Sequence, residues 1–114
     1  MLLFATSAAP LRAQAEAAKA GYKTIPDLKF AQVGDQKLLL DLYLPAKADK
    51  PPLVVFIHGG GWRAGDKAGG GNQVARFVST GQYAGASIGY RLTNEAQWPA
   101  QIHDCKAAIR WIKA

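Results

Sequence analysis

Leu53-Val-Val-Phe-Ile-His58-Gly-Gly-Gly61-Trp62-Arg-Ala-Gly65-Asp-Lys67 is the stretch on which the reading of this 114-residue chain turns. Leu53 to Ile57 is an uninterrupted apolar run between Pro51-Pro52 and a glycine triplet. A short apolar run bounded this way fits a strand buried on both faces of a parallel sheet. Gly59, Gly60 and Gly61 then lack Cβ atoms at successive positions. Their backbone is free to take positive φ and to turn its N–H groups toward a common point. A loop of that kind holds an anion, either a bound phosphate or the transient oxyanion of acyl transfer.

Glycine spacing separates the two. A P-loop wants G-x-x-x-x-G-K-[ST], whereas Gly61-Trp62-Arg63-Ala64-Gly65-Asp66-Lys67-Ala68 has a short spacing, an inserted acid and no hydroxyl for magnesium. The dinucleotide fingerprint G-x-G-x-x-G fails as well, because Arg63-Ala64 stands where the third glycine should fall. A strand followed by His58-Gly59-Gly60-Gly61 instead matches the H-G-G-G-type loop of α/β-hydrolase esterases and lipases, which supplies oxyanion-hole N–H groups after the third strand.

Further motifs follow in a fixed order: Gly65-Asp66-Lys67, Tyr90-Arg91-Leu92, Pro99-Ala100-Gln101-Ile102-His103-Asp104 and Ala107-Ala108-Ile109-Arg110-Trp111. With His58 to Trp62, this series resembles the amino-terminal third of α/β-hydrolases of the hormone-sensitive-lipase-like and feruloyl/acetyl-xylan-esterase-like (BD-FAE-like) groups, from roughly Leu28 to Ala114. The resemblance implies an α/β fold: an antiparallel hairpin, then parallel strands with flanking helices, in the order first, second, fourth, third, fifth. It also implies a carboxylic ester hydrolase with a small-molecule ester substrate and no cofactor or metal. Backbone N–H groups of Gly60 and Gly61 would form the oxyanion hole, with Gly59 a further candidate. Trp62 would either floor an acyl pocket or cover the loop over the sheet.

A complete hydrolase of this kind needs roughly twice the sheet that 114 residues supply, so the chain reads as a part truncated before the nucleophile elbow. Two other readings stand beside it: a stand-alone non-catalytic module binding small acyl compounds, and a peptidase of the prolyl-oligopeptidase relatives. The net charge of +6 comes from 14 basic and 8 acidic residues spread without a run, which reads as solvated surface and not as a nucleic-acid stripe. Residues 1–15 are apolar and end in Ala13-Gln14-Ala15, the pattern of a signal peptide without its basic start. Secretion or a periplasmic location is therefore expected, with the cytoplasm as the alternative. A linker is expected over residues 16–27 and the partial domain over 28–114. No stretch has the length of a membrane span. Oligomeric state has no signature. The single cysteine, Cys105, forms no intramolecular disulfide and falls on an apolar helix stripe.

Leu28 to Val33, Gly34-Asp35 and Gln36 to Leu44 predict a hairpin, with Leu38, Leu40, Leu42 and Leu44 on one face and a Gly-X turn. Gly69-Gly70-Gly71 reads as a flexible stretch, followed by a helix from an Asn72 cap through Thr80 with Gly81 as its stop. Tyr83 to Gly89 predicts a strand. The last helix opens at Pro99, with Ile102, Cys105, Ile109 and Ile112 as its apolar stripe.

Gly85-Ala86-Ser87-Ile88-Gly89 satisfies G-x-S-x-G literally. A nucleophile elbow needs a strand-to-helix turn at the serine, and no helix starts there, so Ser87 reads as a strand residue. The resemblance makes His58 a loop-holding histidine. His103 reads as a surface or packing residue, and Asp104 as the ion-pair partner of Arg91, since an acid ahead of the serine has the wrong order for this fold.

Overall fold

The computed structural model describes residues 21–47 and 49–114. The expected signal segment, residues 1–15, and residues 16–20 of the linker lie outside the described residues. Strands β1 (Tyr22–Val33), β2 (Gln36–Pro45), β3 (Leu53–Ile57) and β4 (Ala84–Ile88) form one sheet in the order β1-β2-β4-β3. β2 runs antiparallel to both β1 and β4, and β3 runs parallel to β4. A short 3-10 helix (Lys67–Gly70) and helix α1 (Gly71–Val78) connect β3 to β4; helix α2 (Ala100–Lys113) follows β4.

Each face of the sheet is covered by one helix. Tyr43, Val74 and Val78 form a core with Tyr22, Val54 and Phe56 on the α1 side. On the α2 side Phe30, Leu38, Leu40, Ile88 and Ala108 pack with Leu42, Ala107, Ile109 and Ile112. The leucine alternation of β2 faces this second core, and from Asp41 onward its opposite face is buried too, because β2 lies inside the sheet beneath α1. The hairpin turn is Gly34-Asp35 between paired Val33 and Gln36, with Gly34 at φ 59.

The structure departs from the sequence expectation in several respects. β1 begins at Tyr22, not Leu28. Pro26-Asp27 looks like a break, but the strand absorbs it as an irregularity between Ile25 and Leu28, with Asp27 at φ 58. The Gly69-Gly70-Gly71 run is ordered into helix, and α1 starts at Gly71 with Gly70, not Asn72, in the cap position. A Cβ on Gly70 would stand 2.1 Å from Ser87 Oγ and 2.6 Å from Phe56 Cδ1, so this glycine permits close packing of the connection on β3 and β4. On α2 the fully buried positions are Gln101, Asp104, Cys105 and Ala108, a stripe rotated from the expected isoleucines, which are half-buried. Burial of the Cys105 thiol, with Asp104 nearby, pushes it up to about 11, which leaves it protonated and inert at neutral pH.

β3 pairs only with β4 among the described residues and is half-buried, with Ile57 38% exposed, rather than covered on both sides. Its outer edge is apolar, β-branched and uncharged, the type of edge that templates association. Residues 21–114 are expected to elute from size exclusion as oligomers, with fast amide exchange at Val54 to Ile57 in the monomer fraction. A sharp monomer peak with that strand strongly protected would contradict this.

Candidate functional site

β3 ends at Ile57, and the chain turns away from the sheet at His58, which is 7% exposed. Gly60 adopts φ 122, Gly61 φ 64 and Trp62 φ 65, three successive residues in the region that L side chains avoid. The Gly60 carbonyl accepts from Arg63 N at 3.1 Å and Ala64 N at 3.2 Å, which closes a tight turn. Gly59, Gly60 and Gly61 are exposed. Among the described residues the N–H groups of Gly60 and Gly61 have no acceptor within the chain, so both remain available as donors. A Cβ on Gly60 would lie 2.0 Å from the Ala64 carbonyl oxygen, so this position admits glycine alone.

The turn is backed by aromatic rings. His58 and Tyr90 stack with centroids 4.1 Å apart and planes 10° from parallel. Tyr90 donates its hydroxyl to the His58 carbonyl at 2.7 Å, and His58 Nδ1 lies 2.9 Å from the Gly59 carbonyl. With the Gly59 oxygen as acceptor, the network assigns the imidazole proton to Nδ1. Burial, then the nearby Cys105, raises the Tyr90 hydroxyl above its ordinary range, so it stays protonated and keeps donating. Trp62 sets its edge on Tyr90 at 5.2 Å and touches Trp98 at 5.2 Å; its carbonyl accepts from Thr93 N at 2.9 Å. The strained Trp62 backbone is thereby held by a stacked side chain and a hydrogen bond from the loop after β4. Gly65 returns the chain to the turn: a Cβ there would meet both the Gly59 carbonyl oxygen and His58 Nδ1 at 2.6 Å. The family resemblance made His58 a loop-holding histidine but assigned no role to Tyr90 or Gly65. Their membership in the motif series was the available signal.

The remaining chemistry-bearing residues are placed elsewhere. Ser87 sits inside β4, fully buried, and donates to the Lys67 carbonyl at 2.7 Å. Its hydroxyl points into packing and has no turn to present it, as the strand reading expects. His103 is exposed on α2. Asp104 is 3% exposed and takes Arg91 Nε at 2.9 Å and Nη2 at 2.7 Å, plus the Arg91 backbone N–H at 3.0 Å. Asp104 is the bidentate partner of Arg91, as expected, and its role is to hold the start of the loop that caps Trp62.

The chain has known relatives in both sequence and fold. Residues 40–114 match the family model BD-FAE. Over 69 residues the chain is 42% identical to carboxylesterase NlhH of Mycobacterium tuberculosis, covering 60% of this chain and 21% of that protein. It is 31% identical over 88 residues to an arylesterase of Saccharolobus solfataricus, covering 76% of this chain and 28% of that protein. Esterase B from Lactobacillus rhamnosis, in a phosphonate-inhibited structure, superposes with a TM-score of 0.70 and 29% identity over 90% of this chain and 36% of that one. The chain therefore spans 21% to 36% of the length of these three proteins. Since the family match runs from the middle of β2 to the end of α2 and the sheet superposes on that of an esterase, the chain belongs to the BD-FAE family and has an α/β-hydrolase fold.

Proposed function

We propose that this chain forms the oxyanion-binding part of a serine hydrolase that cleaves small carboxylic esters through an acyl-enzyme. The observation that carries the reading is the turn Gly59 to Trp62, where two exposed backbone N–H groups follow a parallel strand and a steric lock at Gly60 fixes their direction. In the proposed reaction a serine oxygen adds to the ester carbonyl, and its proton passes to a general base. The N–H groups of Gly60 and Gly61, with Gly59 as a further donor, take the negative charge that develops on the carbonyl oxygen. Collapse of the tetrahedral intermediate expels the alcohol, which leaves with the proton, and water repeats the sequence on the acyl-enzyme. A preorganised donor of this type contributes about 3 to 4 kcal/mol of transition-state stabilisation. Trp62, held on edge against Tyr90, would border the acyl group. The esterases among the matched proteins support the ester as substrate class.

The nucleophile, acid and base of this reaction do not come from Ser87, His103 or Asp104, which are respectively buried in a strand, exposed on a helix and committed to an arginine. The proposal assigns them to further polypeptide in which this unit is embedded. The test is to express the whole reading frame, assay it on a short-chain aryl ester and label it with a fluorophosphonate. Turnover with the label on a serine outside residues 1–114 is the expected result; a labelled Ser87, or no label and no hydrolysis, would sink it. The same assay applied to the 114-residue chain is expected to give no turnover, and Ser87→Ala is expected to leave hydrolysis by the whole protein in place.

A further inference from the structure

We propose that Lys67 is a positioning residue that fastens the rear of the glycine turn to the sheet, a role that takes its importance from the reading of that turn as an oxyanion site. Its ammonium lies 2.7 Å from Asp27 Oδ1 on β1 and 2.8 Å from Asp41 Oδ1 on β2. Its carbonyl accepts the Ser87 hydroxyl of β4. One residue thus ties the connection after β3 to the other three strands of the sheet. The pieces are set up for it: Asp27 occupies the irregular point of β1 at φ 58, and its N–H donates to Asp41 Oδ1 at 2.9 Å.

Surface ion pairs contribute little, but this one is sheltered. The side chain of Lys67 is 19% exposed and that of Asp41 10%, while Asp27 is the half-exposed member at 45%. Burial alone would pull the lysine down; hydrogen bonds and attraction from Asp27 and Asp41 outweigh it, and the net shift is upward from 10.5. With the folded value raised, the stabilising contribution is fully present below the ordinary lysine value and is lost as pH rises through the raised one, so the link holds at neutral pH. Both cores already secure the sheet without it. What lies next to Lys67 is Asp66, whose carboxylate caps the 3-10 helix, and then Gly65, packed without space for a Cβ on the Gly59 carbonyl and His58. Displacing Lys67 moves Gly65, and Gly65 bears directly on the turn.

Amide hydrogen exchange on the 114-residue chain tests this without reference to catalysis. In Lys67→Met the amides of Arg63 and Ala64, which bond to the Gly60 carbonyl, and of Thr93, which bonds to Trp62, are expected to exchange at least about tenfold faster. Leu40 and Ala86, on the two inner strands β2 and β4, keep their rates, and Lys67→Arg restores the turn. Uniform acceleration across the sheet would reduce Lys67 to a stability residue, and unchanged turn amides in a folded variant would remove its role; either overturns the proposal. Asp27→Asn at the half-exposed partner leaves the Asp41 link intact and protects the test against a variant that does not fold. It is expected to accelerate the same amides to a smaller degree, and no acceleration there overturns the proposal as well. The esterase reading stands or falls separately on the fluorophosphonate labelling.

Discussion

Under the proposed function, Gly60→Ala in the whole protein is expected to lower kcat for a short-chain ester by about 10²- to 10³-fold, the loss associated with one misplaced donor of the proposed oxyanion hole. The added methyl would lie 2.0 Å from the Ala64 carbonyl oxygen and 2.6 Å from its carbon, both backbone atoms of the same turn. No rotamer relieves that contact. The turn must open, and the hydrogen bonds from Arg63 and Ala64 to the Gly60 carbonyl open with it. Because this turn lies outside both cores, the damage should be local, with the fold retained by circular dichroism. Gly61→Ala is the control: φ is 64, yet nothing lies within 4 Å of the new Cβ. An L residue adopts that backbone at a cost of about 1 to 2 kcal/mol, so the activity loss should be clearly smaller. Equal losses in the two variants would detach the effect from the steric lock and remove Gly60 as the critical position.

The contrast between these neighbouring glycines also marks the limit of what the sequence discloses. His58-Gly-Gly-Gly announces a loop able to hold an anion, but only the path of the chain reveals which glycine is locked against Ala64 and which stands in open space. The hairpin was legible because a two-residue turn and alternating leucines act over short range, and Ser87 could be assigned to a strand because no helix follows it. The strand order came from the family resemblance, since periodicity carries no information on which strands are neighbours. Elsewhere polarity misled. Gln101 and Asp104 are buried on α2 because their side chains bond to Ala96 and Arg91 in the preceding loop, so the true buried stripe contains residues that a hydrophobic pattern counts as exposed. Pro26-Asp27 carries the composition of a loop inside a strand that bends through it. Gly69 to Gly71 has the same composition whether it flexes or packs, and only the proximity of Ser87 to Gly70 decides. The tie between Lys67 and Asp27 spans 40 residues and that between Tyr90 and His58 spans 32, separations at which no local spacing rule operates.

Asp104→Ala is expected to destabilise the protein by about 3 kcal/mol, the lower end of the cost of breaking a buried ion pair by removing one member. The Asp104 side chain is 5% exposed and that of Arg91 18%, so solvent replaces little of what is lost. Three donors converge on this carboxylate, and one is the backbone N–H of Arg91 itself, which would be left without its acceptor. The arginine charge would then remain in its half-buried place with no counter-charge. Exposed Glu95, which caps Leu92 N in the same loop at 3.0 Å, offers the comparison: Glu95→Gln should stay within about 0.5 kcal/mol. Urea unfolding at constant m-value gives both numbers. In the double variant Arg91→Met/Asp104→Leu, which removes both charges, the loss should be smaller than in Asp104→Ala alone, because no unpaired guanidinium is left behind. A loss under about 1 kcal/mol in Asp104→Ala would mean that the arginine finds water or another partner. The consequence extends past stability, since Arg91 begins the loop whose Thr93 N–H caps the Trp62 carbonyl. A chain that loses Asp104 should therefore loosen the glycine turn from the β4 side, just as loss of Lys67 loosens it from the rear.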